Sequence, residues 1–333
     1  MTYEFVSSLT FFLFQSMKHY DVFNGDADGL CSLQQLRLVE PIESILITGV
    51  KRDIDLLQQV SAQPGDQITV LDISLDKNKS ALVRLLSQQV YVRYFDHHTT
   101  FDIPTHSHLT ACIGTQADKG TSLLVNEFLG NQFPAWAIVG TFGDNFDVRA
   151  KQIAVSLGYT TEQIALLQNL GIVLNYNSYG LSIEDLHIAP ATLSLLMRPF
   201  VDPLEFIATS DIFQQLNVGY QEDMAQVAKV TPQLETERYD VYLLPNAAWA
   251  RRVSGVFANQ LVHTYPQRAH ALLTTLPTGG FLVSVRAPKH TLTGADVLCQ
   301  QFPTGGGRKA AAGINFLPED QYATFIRALQ QTF

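Results

Sequence analysis

The stretch HYDVFNGDADGL, residues 19–30, decides the fold of the first half of the chain. Its opening residues are apolar, aromatic and β-branched, which predicts a strand over residues 19–24. The Asn, Gly and Asp residues that follow are typical of a tight turn. A helical pattern then runs over about residues 29–39. A strand that enters a helix through such a turn predicts a unit of a parallel sheet.

Three further strands follow this unit. They are SILITGV (residues 44–50), QITVLDIS (67–74) and QVYVRYFD (89–96), and a helix-like segment, KNKSALVRLLSQ (77–88), separates the last two. Strands rich in β-branched residues that alternate with helices predict a parallel sheet covered on both faces. Such sheets place their functional residues at the carboxyl ends of the strands. From about residue 120 to residue 234 the pattern is mainly helical.

A second alternation of strands and helices begins at YDVYLLP (239–245) and ends with a helix after Pro318. We therefore predict an α/β protein with a cleft between two domains. The first domain, with the parallel sheet, covers residues 17–189. A helical connector covers 190–235, and a smaller α/β domain covers 236–333. Residues 1–16 are expected to be an upstream extension or an added edge element.

The composition limits the classes of function. The chain has 333 residues, 46% hydrophobic and 16% charged, which is typical of a folded protein of two domains. A net charge of −9 argues against binding to long duplex nucleic acid. The N-terminal apolar run is too short to span a membrane, and no basic residue precedes it. Three widely separated cysteines indicate reduced thiols, so we expect a cytoplasmic protein without membrane attachment.

Acidic residues and histidines follow the strands of the predicted parallel sheet. Because the carboxyl ends of parallel strands meet at one edge, these side chains are expected to converge on one crevice. Carboxylates that converge without a partner repel one another, and a divalent cation removes that conflict. Mixed carboxylate and imidazole ligands suit Mn²⁺, Mg²⁺, Zn²⁺ or Co²⁺. The residues are Asp26, Asp28, Asp72, Asp96, His97, His98 and, after the apolar stretch AWAIVGTF, Asp144.

Each motif alone has a simpler interpretation. An Asp-x-Asp-Gly sequence is often a turn in which Asp caps the next helix, and Asp72 alone could cap a helix as well. Two histidines directly after an aspartate have no routine packing role. The metal hypothesis therefore depends on the motifs occurring together.

The order of these motifs resembles that of the DHH phosphoesterase superfamily. Its members include the RecJ exonucleases, phosphodiesterases of nanoRNA and of linear or cyclic dinucleotides, and family II pyrophosphatases. The C-terminal half adds to the resemblance, because Gly305-Gly306-Gly307-Arg308 followed by AAAG looks like the signature of the DHH-associated domain. The resemblance implies a parallel-sheet DHH domain, a helical connector and a smaller C-terminal DHH-associated domain.

The resemblance also implies roles for individual residues. Two divalent cations, Mn²⁺ first and Mg²⁺ or Co²⁺ as alternatives, would activate a hydroxide for attack on a phosphoester. Asp96 would orient the imidazole of His97 without touching the metal. His98 would contact the scissile phosphate or protonate the leaving oxygen. The implied metal ligands are Asp26, Asp28, Asp72, His97 and Asp144.

Two positions depart from the family pattern. Val22 stands where several branches have a histidine, and Asn24 stands where RecJ-like members have an aspartate. We hypothesise that Asn24 is a weak metal ligand, or supports one without touching the metal. An Asn24→Ala enzyme with unchanged metal dependence and rate would remove that idea. One coordination position is otherwise unexplained.

Residues of the second domain are expected to bind substrate. Consecutive glycines allow close approach of the backbone, and their N–H groups can form an anion-binding nest. Arg308 adds a planar guanidinium that matches phosphate geometry. Arg286 lies where the DHH-associated domain carries an arginine that contacts substrate. Lys119 and Arg149 could reach the cleft, but solvated surface charges are the simpler interpretation. The expected substrate-binding residues are Gly305, Gly306, Gly307, Arg308 and Arg286.

We predict a Mn²⁺-dependent phosphodiesterase that cleaves short linear oligonucleotides, such as pGpG or pApA, to mononucleotides. The alternatives are a RecJ-like single-strand exonuclease and a phosphoesterase that acts on adenosine 3′,5′-bisphosphate or cyclic dinucleotides. A degenerate nucleotide-binding protein is the alternative outside the enzymes. The sequence leaves base preference, cleavage direction and oligomeric state open, with a homodimer as one option.

Overall fold

The fold is described from a computed structural model that covers residues 17–114 and 116–333. The expectations for residues 1–16 lie outside this part of the chain. Within it, no helix is both long enough and apolar enough to cross a bilayer.

Among the described residues, the first sheet has five strands, one more than predicted, and all of them are parallel. The additional strand, β5, is an edge strand with two exposed and three half-exposed residues, so its sequence lacks the continuous apolar run of a buried strand. In spatial order the sheet reads β2-β1-β3-β4-β5. The strands are β1 (His19–Phe23), β2 (Ile45–Ile47), β3 (Gln67–Leu71), β4 (Tyr91–Asp96) and β5 (Leu109–Ile113).

Helices cover this sheet and continue to residue 227. One face packs against a large apolar core that includes Trp136, Phe142 and Phe206, all of them buried. The apolar stretch before Asp144 is the helix α4. The helices are α1 (Ala27–Val39), α2 (Leu75–Ser87), α3 (Thr121–Phe128), α4 (Pro134–Gly143), α5 (Asp147–Ser156), α6 (Thr161–Tyr176), α7 (Pro190–Met197), α8 (Pro203–Thr209) and α9 (Asp211–Val227).

The second sheet is mixed, with spatial order β10-β11-β9-β8-β7-β6. Strands β7 and β8 are parallel and are joined by a helix, and the other pairs are antiparallel. This sheet begins at Leu234, two residues before the predicted boundary at residue 236. Its elements are β6 (Leu234–Glu235), β7 (Tyr239–Leu244), α10 (Ala248–Thr264), β8 (Ala269–Thr275), β9 (Phe281–Arg286), α11 (Ala295–Cys299), β10 (Gly305–Gly307), β11 (Ala311–Leu317) and α12 (Tyr322–Thr332). The α/β fold class is confirmed.

A polar network joins α10 to the helices before the second sheet. Arg251 Nε donates to Asp185 Oδ2 at 2.7 Å, and Arg252 Nε donates to Asp223 Oδ2 at 2.7 Å. The hydroxyl of Tyr176 also donates to Asp223. We call these five residues the connector network. Because all its carboxylates meet arginines, it fixes α10 against α6 and α9.

Candidate metal centre

The loop after β1 is ordered by its own side chains. Asp26 Oδ1 accepts from the backbone N–H groups of Asp28 and Gly29, both at 3.1 Å, so Asp26 caps α1. Asn24 Oδ1 accepts from Asp26 N–H at 3.1 Å. A Cβ at Gly25 would lie 2.1 Å from the carbonyl oxygen of Gly49, so this position requires glycine. The loop is therefore both a helix cap and a platform that holds Asp26 at the strand end.

Asp28 belongs to α1, is fully buried, and its side chain lies beside the N-terminus of α3. Its two carboxylate oxygens accept from the backbone N–H groups of Thr121 at 2.6 Å and Ser122 at 2.9 Å. Burial, followed by the charges of Asp144 and Asp26, nevertheless raises the pKa of Asp28 to about 7. Asp28 thus binds the start of α3 while it repels the other carboxylates.

Asp72 directly follows β3 and has a backbone φ of +58°. This left-handed conformation is uncommon for a residue other than glycine, and it often marks a functional site. Asp72 Oδ1 accepts from the hydroxyl of Thr121 at 3.0 Å. Burial, and then the charges of Asp26 and Asp28, raise the pKa of Asp72 well above its ordinary value. The strained backbone keeps this carboxylate in the acidic cluster.

His97 and Asp144 complete the cluster from different elements. His97 follows β4, whereas Asp144 is the C-cap of α4 and not a strand-end residue. His97 Nε2 lies 3.3 Å from Asp144 Oδ2 and 3.5 Å from Asp72 Oδ1. Burial lowers the pKa of His97, which favours the neutral imidazole that a metal requires.

The donor atoms of this cluster fit a divalent cation. Two groups of ligand atoms each lie within 4.8 Å of one another: Asp72, His97 and His98 form one, and Asp28, His97 and Asp144 form the other. In the described part of the chain, neither Asp28 nor Asp72 forms an ion pair with a lysine or arginine. Buried carboxylates with raised pKa values and no internal cation fit a site for a cation from solution.

The predicted role of Asp96 was wrong. Asp96 Oδ1 lies 2.7 Å from Nδ1 of His98, and its Oδ2 accepts from the N–H of Leu75 at 3.2 Å. It therefore orients His98 and not His97, because the side chain of Asp96 folds back toward the N–H of its second neighbour, His98. Burial alone would lower the pKa of His98, but the hydrogen bond with Asp96 outweighs it and raises the pKa.

Lys51 is a site residue that the sequence analysis missed. It follows β2, the one predicted strand of the first four without an acidic end. Its ammonium forms an ion pair with Asp26, donates to Asn175 Oδ1 at 3.0 Å and lies 3.6 Å from Asp144 Oδ1. Burial acts to lower the pKa of Lys51, but the charge of Asp26 outweighs it, so the pKa is well above its ordinary value. The rule that strand ends carry function would have identified it.

A cleft of about 970 Å³ opens above the acidic cluster. Its wall includes four basic residues: Arg149, Arg286, Lys289 and Arg308. Arg149 therefore lines the cleft and is not simply a surface charge, whereas Lys119 is buried and paired with Glu127. Asn145, next to the metal centre, accepts from Asn259 of α10 at 2.8 Å, which joins the two halves at the rim.

The glycine run lies differently from the prediction. Gly305–Gly307 form strand β10, whose backbone pairs with β11 and is not a free anion-binding nest. Gly305 and Gly306 do not line the cleft, whereas Gly307 and Arg308 do. A Cβ at Gly305 would lie 1.7 Å from the carbonyl oxygen of Cys299, so that glycine is required by packing. Arg286 faces the cleft, and its Nε donates to Asn259 Oδ1 at 2.9 Å.

Comparisons with known proteins rest on structure alone. No protein-family model and no curated protein matches the sequence. An exonuclease RecJ bound to manganese is 20% identical, with a TM-score of 0.62 over 95% of this chain and 90% of that one. The DHH domain of a protein from a family of ribosomal proteins is 13% identical, with a TM-score of 0.61 over 95% and 86%.

A third similar structure is the pGpG-specific phosphodiesterase PggH from Vibrio cholerae. It is 16% identical, with a TM-score of 0.53 over 95% of this chain and 99% of that one. All three alignments extend over both sheets and the helices between them. The chain therefore shares the fold of these three proteins, one of which is described as a DHH domain.

Proposed function

We propose that this chain is a divalent-cation-dependent phosphodiesterase that hydrolyses short linear oligonucleotides, such as pGpG or pApA, to mononucleotides. The observation that carries the proposal is the division of charge within the cleft. Carboxylates, imidazoles and the ammonium of Lys51 form its floor, while the rest of the lining has a basic excess, with three arginines and Lys289 beside Asp118 and Asp147. An acidic floor suits metal ions, and a basic wall suits a phosphate-containing substrate.

The acidic floor would hold the metal through Asp26, Asp28, Asp72, His97 and Asp144. Mn²⁺ is the first candidate, with Mg²⁺ or Co²⁺ as alternatives, and the sequence pattern favours two cations. When bound, they would act as Lewis acids that lower the pKa of the attacking water and neutralise charge on the phosphate. The side-chain oxygen of Asn24 already accepts a hydrogen bond from the backbone N–H of Asp26. A contribution of Asn24 to metal binding therefore stays a prediction.

His98 is proposed to handle the proton of the leaving group. Asp96 binds its Nδ1, so Nε2 is the ring nitrogen that can face a substrate in the cleft. The raised pKa favours a protonated ring that can donate to the leaving oxygen. Arg308 and Arg286 would bind phosphate oxygens on the opposite wall, with Gly307 allowing close approach.

The size of the cleft favours a short substrate. Its volume of about 970 Å³ is at the upper end of the roughly 300–1,000 Å³ typical of small-molecule sites. The bridge between Asn145 and Asn259 closes part of the rim, which would obstruct a long strand. The similarity to PggH agrees with this choice, whereas the similarity to RecJ supports the alternative of a single-strand exonuclease.

The test is a substrate panel with Mn²⁺. It contains pGpG, a cyclic dinucleotide, adenosine 3′,5′-bisphosphate and labelled longer strands, and specificity constants are compared. We expect the highest value for pGpG or another linear dinucleotide. Turnover of none of them would overturn the enzyme proposal and favour a degenerate binding protein. A preference for long strands would favour the exonuclease.

Variants connect the activity to the cleft. Arg308→Met is expected to raise KM for pGpG roughly 10-fold, because a hydrogen bond to a charged group contributes about 1.5 kcal/mol or more. Arg268→Met is the matched control. Because Arg268 pairs with Glu235 away from the cleft, this substitution should leave KM unchanged.

The expectations of a cytoplasmic location, no membrane attachment and no binding of long duplexes stay predictions, as does the oligomeric state.

A further inference from the structure

Lys51 is held among the groups that a second metal ion would need. Its ammonium contacts three oxygens: one of Asp26, Asn175 Oδ1 at 3.0 Å and Asp144 Oδ1 at 3.6 Å. Two of these belong to carboxylates predicted to bind metal. A cation placed between the same two carboxylates would have to displace the ammonium.

The backbone of Lys51 is fixed on both sides. Its N–H donates to the carbonyl of Ser178 at 2.8 Å, and its carbonyl accepts from Nδ2 of Asn24 at 3.3 Å. A carboxylate at position 24 could accept a hydrogen bond but could not donate this one. The neutral amide of Asn24, which left one coordination position unexplained, thus supports the loop that carries the ammonium.

Asp26 belongs to neither of the two groups of atoms that could together bind a metal ion. Both sets of donors close enough to share a cation contain His97, and neither contains Asp26. Within the described residues, therefore, the cluster has a side built around His97 and a side built around Lys51 and Asp26. The two sides meet at Asp144, which approaches His97 through Oδ2 and Lys51 through Oδ1.

We infer that Lys51 is a built-in cation that replaces one of the two metal ions, so that the chain binds a single divalent cation beside His97. This inference rests on the proposed function and refines it from two metal ions to one metal ion and one ammonium. The ammonium supplies a positive charge that needs no coordination shell. It also lines the cleft, where it can face a phosphate oxygen of the substrate.

The test counts bound Mn²⁺ on the full chain by equilibrium dialysis, with electron paramagnetic resonance to detect coupled pairs of ions. The unaltered chain should bind one Mn²⁺ without spin coupling. Lys51→Met removes the charge but keeps an unbranched side chain, and should bind two, with a coupled signal. Lys51→Arg retains the charge and should bind one. Lys289→Met is the matched control, because it removes a lysine from the cleft wall and should also bind one.

Two coupled Mn²⁺ ions in the unaltered chain would overturn the inference, and so would a Lys51→Met chain that is folded by circular dichroism yet binds only one. If Lys51→Met does not fold, the stoichiometry of the unaltered chain and of Lys51→Arg still decides. The count of ions is independent of turnover. A chain that binds one Mn²⁺ but hydrolyses nothing would support this inference and contradict the proposed function. A chain that binds two Mn²⁺ and hydrolyses pGpG would contradict this inference and support the proposed function.

Discussion

The metal centre and the connector network both bury carboxylates, but they differ in what neutralises them. In the network, Asp185 and Asp223 meet arginines, and hydrogen bonds from those partners outweigh burial and lower both pKa values. In the metal centre, burial and neighbouring carboxylates raise the pKa values of Asp28 and Asp72. The network is electrostatically complete within the chain. Within the described residues, Asp28 and Asp72 of the metal centre have no such partner, which fits a site for a cation from solution.

The largest expected effect comes from breaking the network. Arg252→Met leaves Asp223 buried without its cation, which should lower the free energy of unfolding by about 3 to 5 kcal/mol. Urea unfolding followed by circular dichroism measures the loss. Arg268→Met, at an exposed pair with Glu235, is the control and should cost less than about 1 kcal/mol. Equal small losses in both variants would contradict the assigned role of the network.

The second largest expected effect is the stabilisation of the folded chain by a metal ion bound at the metal centre. Free Mn²⁺ at about 100 times its Kd should raise the free energy of unfolding by about 2.7 kcal/mol, because the cation binds the folded chain. Thermal unfolding with and without Mn²⁺ measures this gain. Arg252→Met should retain the gain and Asp72→Asn should lose most of it. A gain that survives in Asp72→Asn would place the cation elsewhere.

The pH dependence of stability distinguishes the connector network from the metal centre. The lowered pKa of Asp223 should contribute about 2 kcal/mol to the free energy of unfolding at neutral pH, and acid should remove this contribution. Burial pushes the pKa of Asp223 up, but hydrogen bonds from His187, Arg252 and Tyr176 outweigh it and lower the pKa to about 2. A lowered folded-state pKa stabilises the protein above the unfolded value, near 4, and this stability is lost as the pH falls through about 2. Unfolding free energies of the unaltered chain and Asp223→Asn should therefore converge between about pH 4 and pH 2. A constant difference over that range would refute the assignment.

The smallest effect has the opposite sign. In metal-free protein at neutral pH, Asp72→Asn should raise Tm by roughly 2 °C, equivalent to about 1 kcal/mol, because a neutral amide replaces a carboxyl that ionises unfavourably among buried carboxylates. Asparagine tolerates the left-handed backbone of this position and can still accept from Thr121. The same variant should lower kcat with Mn²⁺ by at least about 10-fold to 100-fold, because it removes a predicted metal ligand. A lower Tm without metal would contradict the comparison.

Local patterns were sufficient to predict much of the fold. The first four strands and most helices follow from apolar runs and turn residues that are close in sequence. The convergence of Asp26, Asp28, Asp72 and His97 follows from a general rule for parallel sheets. Strand β5 was missed because an edge strand needs no strong apolar pattern.

Side-chain partners were harder to predict, because they depend on contacts distant in sequence. Asp96 could have turned toward either neighbouring histidine, and only the packed structure selects His98. Lys51 lies 25 residues from Asp26 and 124 from Asn175, so no local motif joins them. The glycine run was predicted to let the backbone approach a ligand, but the groups that Gly305 and Gly307 approach belong to the protein's own backbone.

The contact between Gly25 and the carbonyl of Gly49 limits how this site can evolve. Any side chain at position 25 would push apart the two loops that carry Asp26 and Lys51. Changes in metal use are therefore expected to arise through substitutions at the neighbouring positions 24 and 51, which exchange one polar side chain for another. Under the proposed function, changes in substrate preference would have a separate route, because Arg308 lies between β10 and β11 of the second sheet. Under the proposed function, metal use and substrate preference would thus change at separate positions of the chain.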